Sequence, residues 1–320
     1  MQENRYIETY EISSVKKAFS LFAIYGKYKE LHNYYIFRGL KDINYSLIPS
    51  SIREKNISKL WELIGKNKNI GQSDQEHWQI IAEYNILKMF YDIADKSGLN
   101  LPKTDTLRDN IDDDFKLSIF LKTDGWLTDN LMEIAGLAQH YGLPTRLLDW
   151  TYDYKIALFF ATSGFYNEEE KEKDCVVWAI NNHYFNYLKL NDKDIPLKFY
   201  RPPYRDNKYL CAQKGLFTTW KIIDKNDEDL QNFYKNQFHE KINRNPLDLL
   251  VCDYISNNAI EDNYDLKNYK VLYKFVIPNR LKYDILKQLK RDMYSEEYLF
   301  PGFSGVCLSM ENKRKLCDFI

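Results

Sequence analysis

The 320-residue chain predicts an α+β fold: a single mixed domain built on a central, mainly antiparallel sheet. Two observations lead there. Short β-prone runs (Tyr34 to Phe37, Cys175 to Ile180, Leu216 to Ile223, Val271 to Ile277) are interspersed with stretches of helical periodicity. The two kinds do not alternate in the regular way that a parallel βαβ sheet requires. With no internal repeat and no low-complexity linker, the domain is drawn at residues 30–310. A helical segment over 1–29 precedes it and a short tail over 311–320 follows.

The elements follow from local pattern. Val15, Phe19, Leu21, Phe22 and Tyr25 recur at helical spacing, so residues 1–30 are expected to form one or two amphipathic helices. The aromatic run after them ends at Arg38-Gly39, and Asn44 to Arg53 is expected to be extended chain turning into a loop. A broad apolar stripe from Gln75 to Ala94 predicts a long helix with Ser73-Asp74 as its cap signal. Residues 98–114 are a polar connection. A second helix is expected over Asn130 to His140, broken by Gly142-Leu143-Pro144 because proline cannot continue a helix. A short helix starts at Tyr152 or Asp153, with the Thr151 hydroxyl at its N-cap. The charged run 166–174 is expected to be a surface hairpin or loop. Leu281 to Leu289 is helical, and Tyr298 to Phe300 is strand-like.

Composition narrows the function. With 45 basic and 46 acidic residues the net charge is −1, which gives no general attraction to nucleic acid or to an anionic membrane. The chain is 44% hydrophobic and 16% aromatic, ample for a core. Its longest apolar stretches, such as Ile156 to Thr162, fall far short of the ~20 residues of a membrane helix. The polar N-terminus has no signal-peptide core, so a cytoplasmic location and no membrane partner are expected. The five cysteines show no CxxC spacing and the five histidines no ligand spacing. Neither a metal nor a disulfide framework is expected, and the thiols should be mostly buried. The phosphate-loop, dinucleotide-fold, zinc-protease and serine-elbow signatures are all absent.

The densest chemistry lies in Gln139 to Thr151, QHYGLPTRLLDWT. A pure core segment has no need of Gln139, His140, Thr145, Arg146, Asp149 and Trp150 together, since each polar group buried there must find a partner. The segment is therefore expected to face a ligand. Arg146 and Asp149 stand at a spacing that permits a pair, and His140 is expected to titrate near neutrality. Arg38, at the end of an apolar run, suits a bidentate grip on phosphate or carboxylate, and Gly39 allows a ligand close to the backbone. Gln213 reads either as a polar reader at a strand start or as a loop stabiliser. Glu296 or Glu297 offers a carboxylate to steady a developing cation or to activate a nucleophile.

Taken together these residues resemble the FRG domain family of bacteria and their phages. The matching motifs are Phe37-Arg38-Gly39, Leu47-Ile48-Pro49-Ser50 with Arg53, the whole block from Gln139 to Thr151, Ala157-Leu158-Phe159-Phe160-Ala161, Ala212-Gln213-Lys214-Gly215-Leu216-Phe217, and Leu299-Phe300-Pro301. The last motif departs from the family form, having Gly302 where an aspartate commonly stands. The order of parts is similar to an ADP-ribosyltransferase core. That similarity implies Arg38 as the grip on a nicotinamide ribose or phosphate, Thr151 as the hydroxyl motif, and Glu296, Glu297 or Gln213 as the late residue acting on the ribose.

Three functions are therefore expected in order. The first is an NAD-consuming, ADP-ribosyltransferase-like enzyme acting as a toxin or anti-phage effector, with NAD as substrate and a protein or nucleic acid as acceptor. The second is a non-catalytic nucleotide- or nucleic-acid-binding module, which the arginines and tyrosines of Arg201 to Arg205 would also serve. The third is a hydrolase or nuclease using His140 and Asp149.

Overall fold

A computed structural model describes residues 5–23, 25–65, 75–108, 125–190, 195–222, 241–258 and 270–317. The sheet has seven strands: β1 (Ile7–Glu11), β2 (Tyr35–Leu40), β3 (Leu148–Thr151), β4 (Cys175–Asn181), β5 (Leu197–Tyr200), β6 (Gly215–Trp220) and β7 (Leu272–Ile277). They lie in the order β1-β7-β4-β2-β3-β6-β5. β1 pairs parallel with β7, and every other neighbouring pair is antiparallel. The α+β expectation with a mainly antiparallel sheet holds.

Alternation along the strands sorts the core onto two faces, as a period of two demands. Tyr35, Phe37, Cys175, Val177, Ala179, Tyr273 and Phe275 share one apolar cluster. Their sequence neighbours Ile36, Leu40, Val176, Trp178, Ile180 and Leu272 share the other. The first face is covered by α1 (Val15–Ser20), α5 (Tyr154–Thr162) and α9 (Lys282–Arg291). The second is covered by α6 (Asn182–Leu190) and α8 (Leu247–Asn257). A third cluster joins α2 (Glu54–Leu63), α3 (Glu76–Lys96) and α4 (Asp129–His140) to Leu147 and Phe217. Three more helices matter below: α7 (Lys208–Ala212), α10 (Glu296–Leu299) and α11 (Phe303–Cys317).

Several local expectations are corrected. The helical reading of residues 1–29 holds for α1 but not for Ile7–Glu11, an edge strand whose polar composition masks its pairing with β7. Leu148–Thr151 is a strand, and Thr151 ends it instead of capping α5. The cap is Asp153, whose Oδ1 accepts from the Lys155 amide at 2.9 Å. The run 166–174 contains a helical turn at Glu168–Lys171, and Tyr298 and Leu299, expected to be strand-like, belong to the helical turn Glu296–Leu299. The Ser73-Asp74 cap signal lies outside the described residues. Cys175 and Cys252 are buried, whereas Cys211 and Cys307 are exposed. No helix among the described residues is long and apolar enough to cross a membrane.

The placement of α5 against β2 fixes the middle of the sheet. A Cβ built on Gly39 would lie 2.0 Å from the Ala157 carbonyl oxygen and 2.6 Å from the Ala161 nitrogen, both backbone atoms that cannot swing aside. Gly39→Ala should therefore push α5 off the strand and destabilise the fold by about 3 kcal/mol. The expected readout is a lower urea midpoint with an unchanged slope; an unchanged midpoint would contradict the close approach.

Candidate functional site

The sheet parts between β2 and β3. Along β4, β2 keeps register from Tyr35 to Leu40, but with β3 it pairs only at Phe37↔Thr151. A cavity of about 880 Å³ opens there. From β2 come Arg38 and Gly39, from α4 Gln139 and His140, and from β3 Asp149, Trp150 and Thr151. Gln213 closes one side, Arg53 and Lys55 another, and Phe160 and Phe300 add aromatic wall. The sequence-based candidates Arg38, Gly39, Gln139, His140, Asp149, Trp150, Thr151 and Gln213 thus meet in one place.

Arg38 spans the split. Its Nη1 donates to the Asp149 carbonyl at 2.6 Å and lies 3.4 Å from Asp149 Oδ2. Its Nε is buried with no protein partner, an N–H left for an incoming acceptor. Asp149 is held from the other side, where Gln139 Nε2 donates to Oδ1 at 2.5 Å and the Thr145 hydroxyl donates to Gln139 Oε1. Thr145 itself is buried and does not line the cavity; it reaches the site only through Gln139.

Arg53 adds a second guanidinium. Its Nε donates to the Ile48 carbonyl at 2.8 Å. Burial and the charge of Arg38 both push its pKa down, against the pull of Asp149, yet a guanidinium stays protonated. Two like charges sharing one wall favour an anion between them. An adjoining cavity of about 240 Å³ shares Arg38, Arg53, Gln139 and Asp149 and adds Asn56 and Lys59. His140 packs against Tyr209 with ring centroids 4.1 Å apart. Burial lowers its pKa, with Asp149 opposing, so the imidazole is neutral at pH 7. The expected titration near neutrality is thereby shifted downward.

Thr151 is a joint in the frame. Its hydroxyl donates to the Gln213 carbonyl at 2.7 Å and accepts from the Asp153 amide at 3.0 Å. Gln213 Nε2 donates to the Leu299 carbonyl at 3.0 Å. Lys214, at φ +46° in the left-handed region, turns the chain from α7 into β6.

Three further candidates besides Thr145 lie away from the cavity. Arg146 is 4% exposed and pairs with Glu76 at 2.5 Å and Glu83 at 2.8 Å, so it does not pair with Asp149. Glu83 also receives Trp126 Nε1 at 2.5 Å. Glu296 lies outside the cavity, buried against Asn312 at 2.9 Å and paired with Lys290 at 3.0 Å. Glu297, on the same turn, does not line it either; hydrogen bonds from Ser309 and Ser295 and the charge of Lys290 outweigh burial and hold its pKa low. The late carboxylate is therefore not delivered by α10. Arg201 and Arg205 are exposed and outside the cavity. Among the described residues no group of three His, Cys, Asp or Glu is placed to hold a metal ion.

A family model for the FRG domain matches residues 33–173. Over that stretch the chain is similar to the FRG domain. The matched stretch holds β2, β3 and the Arg38–Asp149 contact; Gln213 and the Leu299-Phe300-Pro301 motif lie beyond it. No curated protein and no solved structure matches the chain. Cavity residues that the sequence does not single out include Tyr45 and Glu170, whose signal is hidden in a loop and in an acidic run.

Two measurements check the frame of the domain. Arg146→Leu leaves two buried carboxylates without their cation and should destabilise the fold by about 3–5 kcal/mol in urea titration. Adding Glu83→Gln to it should recover part of that loss. Asp153 is a second hub, with Lys214 Nζ at 2.6 Å and the Tyr294 hydroxyl at 3.0 Å from Oδ2. Burial raises its pKa, but Lys214, the Lys155 amide and Tyr294 outweigh that and hold it below the usual carboxylate range. Its stabilisation is thus complete above about pH 4 and drains away as pH falls toward the depressed folded value. Asp153→Asn should cost about 1.5 kcal/mol at pH 7, with the gap to wild type closing only below pH ~4. A gap that persists in acid would contradict the ion pair.

Proposed function

We propose that the domain binds an NAD-type dinucleotide in this cavity and cleaves its nicotinamide–ribose bond, passing ADP-ribose to a macromolecular acceptor. One observation carries the reading. The neighbouring strands β2 and β3 and the turn that leads from α7 into β6 bring Arg38, Thr151 and Gln213 to a single cavity. This is the order of parts that a resemblance to an ADP-ribosyltransferase core implies, with Gln213 as the late residue in place of Glu296 or Glu297.

The chemistry suits the lining. Breaking the C1′–nitrogen bond sends its electron pair to the nicotinamide ring, which leaves neutral, and puts positive charge on the ribose. Such an oxocarbenium-like centre needs an anion or aligned dipoles nearby. Asp149, its side chain 60% exposed, is oriented by Arg38 and Gln139, and Gln213 adds an amide dipole. Arg38 and Arg53 offer donors to the pyrophosphate. The neutral His140 is available to take the proton that the acceptor nucleophile releases. A toxin or anti-phage role fits such chemistry, because consuming NAD or modifying a cellular target stops growth.

The test is nicotinamide release from NAD by the purified chain with cell extract as acceptor source. Wild type is expected to release it. Arg38→Ala should be slower by at least about a hundredfold, while Glu297→Gln should stay within about twofold of wild type. Binding of NAD without release would favour a non-catalytic nucleotide module. Loss on Glu297→Gln would return the late-acid role to α10.

A further inference from the structure

The cavity has a second end with opposite chemistry. Glu170, on the helical turn Glu168–Lys171, is only 6% exposed yet lines the same cavity as Arg38. Its Oε1 accepts from the Tyr45 hydroxyl at 2.8 Å. That hydrogen bond, then burial, pushes the Tyr45 phenol up to about 12, so Tyr45 remains a donor at any working pH. The backbone carbonyl of Glu170 accepts from the buried Lys282 at 2.7 Å, which fixes the turn. Oε2 is different: it is buried and has no hydrogen-bond partner. The Lys41 ammonium lies 3.9 Å away, too far to satisfy the oxygen with a hydrogen bond.

A buried carboxylate oxygen without a donor is costly unless a ligand supplies one. The turn that carries it could have faced solvent, as its neighbours Glu168 and Glu169 do. We propose that Glu170 is the residue by which the cavity selects its ligand: Oε2 accepts hydrogen bonds from a sugar hydroxyl pair, and the same charge rejects a ligand bearing a phosphate at that position. The cavity then reads a bipolar molecule, with its phosphates toward Arg38 and Arg53 and its diol toward Glu170 and Tyr45. This assignment rests on the reading that a nucleotide fills the cavity, and it names which nucleotides are admitted.

The experiment is calorimetric titration of the full chain with ADP, with 2′-deoxy-ADP, and with ADP carrying an additional 2′-phosphate. Wild type should bind ADP about tenfold more tightly than the deoxy probe, and the phosphorylated probe more weakly still. Glu170→Gln keeps an oxygen for Tyr45 and the carbonyl for Lys282, and gains a donor. It should bring all three probes to within about threefold of one another. The wild-type preference stands as a test by itself, independent of how the variant folds. Equal wild-type affinities for the three, or wild-type ratios retained by Glu170→Gln, would overturn the role of Glu170 and leave nucleotide binding intact. No binding of any probe by wild type would overturn nucleotide occupancy and, with it, this selection.

Discussion

The parting of β2 from β3 is the constraint on which the site depends. β2 is saturated on its β4 side, while on its β3 side the ladder stops after Phe37↔Thr151. Backbone groups at such a split must find other partners. The Asp149 carbonyl finds one in the Arg38 guanidinium, which substitutes a charged side-chain donor for a strand neighbour. The same side chain that closes the polar account of the split is thereby stationed at its mouth. Gly39 matters for the same reason, because α5 lies so close behind β2 that the strand has no freedom to move back and close the gap.

The polar segment from Gln139 to Thr151 divides its residues between the two sides of this split. Gln139, His140 and Asp149 face the cavity, whereas Thr145 and Arg146 turn inward and hold the segment in place. The buried half is electrostatically demanding. Glu76 and Glu83 share the single guanidinium of Arg146, and Glu83 draws further donors from Trp126 and from Gln79 at 2.9 Å. Desolvating two carboxylates around one cation favours only one arrangement of α3 against the loop. That rigidity passes through Thr145 to Gln139 and so to the Asp149 carboxylate. The orientation of a cavity group is thus set by charges that never meet the ligand.

Much of this was legible in the sequence, and the exceptions share a physical cause. β2, β4, β6 and β7 are rich in aliphatic and aromatic residues because they lie within the sheet, and such runs read as strands. β1 is an edge strand with an alternating polar sequence, and β3 has only four residues, so neither rises above the local pattern. Part of the family block lines the cavity, where its polar side chains are clustered. Sequence could not divide that block into ligand-facing and buried halves, since Arg146 and Asp149 look equally exposed until Glu76 and Glu83 arrive from a distant helix. Glu170 failed for the converse reason. In an acidic run every carboxylate looks solvated, and only the packing of Gly164 against Lys41 and Glu170 shows which one is tucked under.

The charges in the cavity explain why Arg38 is better suited to shaping the site than to attracting the ligand. Its Nη1 is already committed to Asp149, and that carboxylate offsets much of its field. Arg53 has no such carboxylate hydrogen-bonded to it; its Nε rests on a neutral carbonyl, so its charge is the less compensated of the two. On the proposed nucleotide reading a phosphate is drawn first toward Arg53 and meets Arg38 through the donors that Asp149 leaves over, above all the buried Nε. Arg38 thus joins the strand split, the Asp149 carboxylate and an unpaired donor in one side chain, which is why its position at the split matters more than its charge.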